Sequence, residues 1–149
     1  MQQAPEWLRA GPRDGGTPLM SRTPEEKAIL AAGVAAFNNG RYFACHEILE
    51  ALWLPDVSPE RDLLKGLIQV AAGLHHQKNG NLRGCRKLLL RATQLLTPYS
   101  PAGADLDIAG LLGEVAVALA FCQSAAPGDP LPPALVPRLR PAGQDPRSD

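Results

Sequence analysis

Two Asn-Gly pairs, at residues 39–40 and 79–80, constrain the fold of this 149-residue chain more than any other feature. Each pair follows a stretch in which apolar residues recur every three or four positions, the spacing of one helix face. Glycine readily adopts the left-handed backbone conformation that ends many helices. Each pair therefore predicts the end of one helix and the turn into the next. No stretch shows sustained alternation of apolar and polar residues, so the sequence predicts an all-α fold.

Start and stop signals along the chain predict five helices. Thr23 is a good N-cap and Pro24 is favoured at the first helical position, so the first helix is predicted to begin there. Ser58-Pro59-Glu60 repeats this pattern before the third helix, and Asp105 or Asp107 is predicted to cap the fifth. The later helices are predicted at about 41–53, 58–79, 82–96 and 108–124.

Residues 40–49 can be aligned with residues 80–89 at an offset of 40. Gly40 then matches Gly80, Cys45 matches Cys85, and Leu49 matches Leu89. Such a pattern is typical of successive helical hairpins, as in tetratricopeptide-like arrays, although solenoids usually need three or more units. We therefore predict a compact bundle of about five helices, built from two related helical hairpins that are tetratricopeptide-like in local pattern.

The two ends of the chain have compositions that oppose a packed core. Residues 127–149 contain seven prolines and no aromatic residue, which predicts a disordered tail. Residues 1–22 carry three prolines and three glycines and are predicted to be a flexible N-terminal segment. A single helical domain is therefore expected at residues 23–126.

Charge and composition exclude several classes of function. Fifteen basic residues balance fifteen acidic ones, which argues against a nucleic-acid partner. The basic side chains of the fourth helix lack the interleaved aromatic residues that stack on bases. No run of apolar residues is long enough to span a bilayer, and the N-terminus lacks the apolar region of a signal peptide. Three widely spaced cysteines fit a reducing compartment, so we expect a cytoplasmic protein without membrane contact.

One run carries a family resemblance. Phe-Asn-Asn-Gly-Arg-Tyr-Phe-Ala-Cys-His-Glu-Ile-Leu-Glu-Ala-Leu-Trp, residues 37–53, resembles the bacterial and archaeal domain-of-unknown-function family 309. Glu60-Arg61, the stretch from Leu64 to His76, and Gly80-Asn81 with Gly84 extend the resemblance, which covers roughly residues 28–97. It implies a small all-helical domain and no established activity. Ala44-Cys45 departs from the family pattern, which often has an acidic residue just before His-Glu.

The candidate site is a polar cluster of five residues. His46, Glu47 and Glu50 share one side of the second helix, and a histidine with two carboxylates could serve as an acid/base pair or hold a divalent metal. Gln69 and His76 of the third helix are predicted to join them across a hairpin that turns near residue 56.

The cluster also has a purely structural interpretation. The same hairpin places Glu47 near Lys65 and Glu50 near Arg61, which predicts two interhelical ion pairs. His46 would then hydrogen-bond to Gln69. The two interpretations stay open at this point.

A metal site is not predicted. The zinc motif H-E-x-x-H needs a second histidine where Glu50 stands. His75 and His76 point about 100° apart on a helix, so at most one, His76, is expected to join the cluster. We predict no metal and no cofactor.

The sequence therefore favours a non-enzymatic helical module that binds a protein partner or a second copy of itself. The apolar fifth helix suggests a homodimer face. The alternative is a small hydrolase or metal-dependent enzyme that uses His46, Glu47 and Glu50.

Overall fold

The computed structural model describes residues 22–143. Five α-helices dominate this part of the chain, and they are joined by short turns, two 3-10 turns and one small β-hairpin. The helices are α1 (Pro24–Asn38), α2 (Tyr42–Trp53), α3 (Arg61–Lys78), α4 (Leu82–Leu96) and α5 (Ile108–Ser124). The prediction of a compact all-helical bundle with five helices is confirmed.

The helix starts follow from side-chain caps. Thr23 accepts a hydrogen bond from the Glu26 amide at 3.1 Å, and the Glu26 carboxylate accepts one from the Thr23 amide at 2.8 Å, so a complete capping box begins α1 as predicted. Asp107, rather than Asp105, caps α5 through the Gly110 amide. The third helix begins at Arg61, later than predicted, because Ser58 caps a turn that precedes the helix.

The two Asn-Gly turns have the same geometry. Gly40 and Gly80 have φ of 75° and 80°, in the left-handed region that favours glycine. The amide two residues past each asparagine closes the turn with a 2.8 Å hydrogen bond, from Arg41 to the Ala36 carbonyl and from Asn81 to the His76 carbonyl. Each turn therefore reverses the chain in the same way and pairs α1 with α2 and α3 with α4.

Glycines let the paired helices approach closely. A Cβ at Gly33 would lie 2.5 Å from Leu49 Cδ2, and one at Gly73 would lie 3.0 Å from Leu89 Cδ2. These two contacts are also 40 residues apart, and both leucines are fully buried. Close packing at glycine thus sets the spacing within each hairpin.

The third helix lies at the centre of the bundle. It contacts α2 on one side and α4 on the other, and ten of its residues are buried. This extensive burial agrees with the sequence, in which apolar residues lie on more than one face of this helix. The three cysteines are buried free thiols, and Cys85 and Cys122 bring their sulfur atoms within 3.4 Å between α4 and α5.

A short β-hairpin precedes α5, and the sequence did not predict it. Ala102–Gly103 pairs antiparallel with Leu106–Asp107. Ala104 and Asp105 between them have φ of 51° and 59°, the positive values that a two-residue type I′ turn requires. Ala-Asp lacks the Asn-Gly signature of such turns, and strands of two residues are too short to show alternation. The sequence therefore gave no indication of this hairpin.

The prediction of a disordered tail over 127–149 is wrong for residues 127–143, which we call the C-terminal strap. Pro137 and Leu139 are buried, and Asn38 makes two hydrogen bonds to the Leu139 backbone. Hydrogen bonds to its backbone hold the strap in place, although its composition provides little apolar surface to bury. Residues 144–149 lie outside the described part of the chain.

Residues 1–21 also lie outside the described part, so the flexible N-terminal segment predicted for 1–22 concerns only Arg22 here. Its guanidinium lies 3.0 Å from Asp56 and 3.1 Å from Glu60, and all three side chains are buried. Arg22 is therefore anchored and belongs to the domain.

The buried ion pairs affect both carboxyl groups. Burial acts to raise the pKa of Asp56, but hydrogen bonds from Ser58 and the charge of Arg22 together lower it. Burial raises the pKa of Glu60 despite the same arginine.

Among residues 22–143, no helix is both long enough and apolar enough to cross a membrane.

Candidate functional site

A line of partly exposed polar and aromatic side chains follows the groove between α2 and α3. We call it the polar seam. On α2 its members are spaced by three or four residues and so share one face. The polar seam consists of Phe43, His46, Glu50 and Trp53 from α2, and Arg61, Lys65, Gln69 and His75 from α3.

At one end of the seam, two cations lie over an aromatic ring. Arg61 Cζ is 4.2 Å from the centroid of the Trp53 ring, and Lys65 Nζ is 5.3 Å from it. Both distances are within the range of cation–π attraction. Trp53 Nε1 is buried and has no hydrogen-bond partner among the described residues. This end therefore carries two positive charges over the indole ring, and the donor of that ring is buried without a partner among the described residues.

His46 occupies the middle of the seam. Its Nε2 is 3.7 Å from Glu50 Oε2, an ion-pair distance that is too long for a hydrogen bond. Its Nδ1 is buried and unpartnered within residues 22–143. The Phe43 ring stacks on the imidazole, with centroids 6.1 Å apart and planes inclined by 17°. One imidazole nitrogen is thus near a carboxylate, and the other is unused.

The predicted hydrogen bond between His46 and Gln69 is not formed. Gln69 Oε1 is buried and lacks a partner in the described part of the chain. The Trp53–Lys65 contact on one side and the Phe43–His75 contact on the other place Gln69 in the stretch of α3 opposite His46. Leaving a buried polar atom unpaired costs about 1–3 kcal/mol, so the three unpaired atoms of the seam need an explanation.

The predicted ion pairs of Glu47 with Lys65 and of Glu50 with Arg61 are also wrong. Within residues 22–143, neither carboxylate lies within 4.0 Å of its expected partner, and the Glu47 side chain is exposed. The physical reason is competition, because Arg61 and Lys65 lie over Trp53 while Glu50 approaches His46.

The histidine that reaches the seam is His75, not His76. The His75 and Phe43 rings have centroids 5.7 Å apart. His76 Nδ1 is instead 3.2 Å from Asn81 Nδ2 at the turn into α4. The sequence predicted that His76 would join the cluster, and nothing in it indicated the contact with Asn81.

Sequence reasoning missed Phe43, Trp53, Arg61 and Lys65 as site residues. Trp53 is an apolar residue of the second helix, which by itself favours a place in the core, yet it lies seven residues from His46 and so on the same helix face. Phe43 is 56% exposed, which is high for an aromatic side chain. Phe43 directly follows the buried Tyr42, so the two side chains point to different sides of the helix, and this was the one signal in the sequence that Phe43 is exposed.

No group of three or more histidine, cysteine, aspartate or glutamate side chains in the range 22–143 is arranged to hold a metal ion. A cavity of about 350 Å³ lies away from the seam, between α5 and the strap. It is lined mainly by small and apolar residues, namely Ala109, Gly110, Gly113, Val117, Ala134 and Leu135, with Glu114.

Comparisons with known proteins concern the part of the chain that carries the seam. The family model described as "Domain of unknown function (DUF309)" matches residues 30–88. The "Uncharacterized protein YpuF" of Bacillus subtilis (strain 168) is 35% identical over 68 residues, which are 45% of this chain and 39% of the relative. The chain therefore spans about two fifths of the length of this curated relative. All eight residues of the polar seam fall inside the matched range, so the seam lies in the part of the chain that is similar to the DUF309 family.

Proposed function

We propose that the domain is a non-enzymatic helical module that binds a protein partner across the polar seam. The observation that carries this proposal is the set of three unpartnered polar atoms, His46 Nδ1, Trp53 Nε1 and Gln69 Oε1. Native proteins satisfy nearly all buried polar groups, so unsatisfied ones in a surface groove are suited to a bound partner. A small side-chain rotation would present His46 or Gln69 to it.

The rim of the seam has the composition of an interface. The exposed Phe43 at one end and Arg61 over Trp53 at the other are residue types that dominate binding energy at protein interfaces. Lys65 adds a second cation. The partner that fits carries an apolar group to cover Phe43 and an acidic group to meet Arg61 and Lys65.

Capture experiments with matched variants test this proposal. We expect a protein that is retained by the wild-type chain to be lost with Phe43→Ser and with Lys65→Glu. Leu90→Ser is the control, because Leu90 is a similarly exposed apolar residue on α4, outside the seam. Equal capture by the wild type and all three variants would refute a role for the seam.

Self-association through α5 is a second candidate function, and a specific observation favours it. Val117 is 47% exposed beside the cavity, and Ala109, Gly113, Ala116 and Ala120 are exposed small residues of the same helix. The single charge of α5, Glu114, is already paired with Arg140 at 2.6 Å, so a second copy would meet no unpaired charge there. Light scattering should show a dimer for the wild type and a monomer for Val117→Glu. A monomer mass in both samples excludes this face.

The enzymatic alternative retains His46 and Glu50 as its acid/base pair, with Glu47 beside them. Stoichiometric metal in the purified protein that is lost in His46→Gln would favour this alternative over the binding module. A cytoplasmic location and an origin of the two hairpins in a repeat stay predictions. The matched turns at Gly40 and Gly80 support the repeat.

A further inference from the structure

The C-terminal strap pairs with the edge of the β-hairpin through its backbone. Leu106 and Pro141 form an antiparallel bridge at the edge of the β-hairpin. Asp107 donates its amide hydrogen to the Arg140 carbonyl, and the Ala142 amide donates to the Asp105 carbonyl, both at 2.9 Å. Strand addition to an exposed sheet edge is one of the common modes by which proteins recognise extended peptides.

Asn38, at the end of α1, continues this recognition with its side chain. Its amide nitrogen donates to the Leu139 carbonyl and its amide oxygen accepts from the Leu139 amide, both at 2.8 Å. A side-chain amide that pairs with both polar groups of one residue replaces the contacts of a neighbouring strand. The site therefore holds the strap through its backbone at residue 139.

The side chains of the strap alternate in their environment. Pro137 and Leu139 are buried, whereas Arg138 is exposed and Arg140 is partly exposed. Glu114 of α5 accepts from the Arg138 amide at 2.9 Å and forms the ion pair with Arg140. The groove thus specifies an extended segment with apolar residues directed inward and arginine at the next positions.

The linker between α5 and the inserted part of the strap has few attachments. Nearly all side chains from residue 126 to residue 134 are exposed. Gly128 has a φ of 91°, and Gln77 makes one hydrogen bond to the Asp129 carbonyl at 2.8 Å. The inserted part can therefore leave its groove while the five helices stay packed.

We propose that this groove also accepts the strap of a second copy of the chain, so that two molecules associate by strap exchange. The groove is complementary to Pro137-Arg138-Leu139-Arg140-Pro141, and another copy supplies this segment in full. Exchange of an identical element between molecules is a low-cost route to dimers. In the wild type the attached strap competes at an effective concentration on the order of millimolar, which keeps exchange rare in dilute solution.

Complementation between two full-length variants tests the proposal directly. Asn38→Leu removes the two hydrogen bonds that the Asn38 side chain makes to Leu139 and leaves the strap itself unchanged. Leu139→Asp places a charge at the buried position of the strap and leaves the groove unchanged. With Val117→Glu added to both, so that α5 cannot associate, each variant alone should be a monomer by light scattering. A 1:1 mixture should contain a species with the mass of two chains, because the intact strap of one molecule enters the intact groove of the other.

A mixture that stays monomeric would overturn strap exchange, and so would a dimer formed by either variant alone. Circular dichroism checks that both variants are folded. If either is not, the milder pair Glu114→Gln and Leu139→Ala repeats the test with the same two outcomes. The groove is separate from the polar seam, so a negative result leaves the seam proposal standing. Adding Val117→Glu to both variants distinguishes exchange from association through α5.

Discussion

Gly66 offers a quantitative test of how closely α3 and α4 pack. A Cβ at this position would lie 2.6 Å from Leu96 Cδ2 and 2.7 Å from Leu96 Cγ, well inside the van der Waals distance. Leu96 is fully buried and cannot turn outward. Overpacking of this kind costs about 1–3 kcal/mol. Replacing glycine by alanine within a helix gains about 1 kcal/mol in backbone propensity, so Gly66→Ala should lose about 0–2 kcal/mol of unfolding free energy.

Gly113→Ala is the matched control, because it measures the gain in helix propensity without a steric clash. A Cβ at Gly113 would meet nothing within 4 Å, so this variant should gain about 1 kcal/mol. The difference between the two variants then measures the steric term alone, about 1–3 kcal/mol. Urea unfolding followed by far-ultraviolet circular dichroism gives both free energies.

A double variant completes the test of the contact with Leu96. In a Leu96→Ala background, the penalty of Gly66→Ala should disappear because the clashing atoms are gone. Equal stability of Gly66→Ala and Gly113→Ala, or an unchanged penalty in the Leu96→Ala background, would show that this contact does not limit the packing.

Three further predictions concern the N-terminal side of the domain. Arg22→Met leaves Asp56 and Glu60 buried without their cation and should cost about 3 kcal/mol in urea unfolding, whereas a loss below about 1 kcal/mol would mean that the ion pairs are solvated. Asp56→Asn should be most destabilising near neutral pH. Because the folded-state pKa of Asp56 is lowered, its contribution is present above the ordinary value of 3.8 and is lost as the pH falls through the lowered value. The difference from the wild type should therefore shrink in acid, and a constant difference would contradict this assignment. Thr23→Ala removes the side-chain acceptor of the α1 capping box and should cost about 1 kcal/mol in thermal or urea unfolding, and no loss would show that the box is not formed in solution.

The helices could be predicted because their signals are local. Thr23 and Pro24 mark the start of α1, and Gly40 and Gly80 mark the ends of α1 and α3 through a backbone conformation that few other residues adopt. Each signal acts within a few residues of the structure that it specifies. The helix bounds were accordingly close, apart from the first turn of α3.

The strap and the pairing within the seam could not be predicted because their causes are not local. Asn38 and Leu139 are 101 residues apart, and nothing near either residue indicates the other. Whether Arg61 contacts Glu50 or Trp53 depends on the orientation of the indole ring, which helical spacing does not reveal. Helical spacing predicts that His46 lies at the α2–α3 groove, but it does not reveal which side chains surround it there.

The strap also has a consequence for the order in which the domain forms. Each helical hairpin closes through contacts between neighbouring parts of the chain, which form early and fast. The contact between Asn38 and Leu139 closes a loop of about a hundred residues, so it depends on helices that are already packed. The strap should dock last and open first. Its amide hydrogens should exchange with solvent through a local opening, long before those of α3 and α4, whose exchange needs global unfolding.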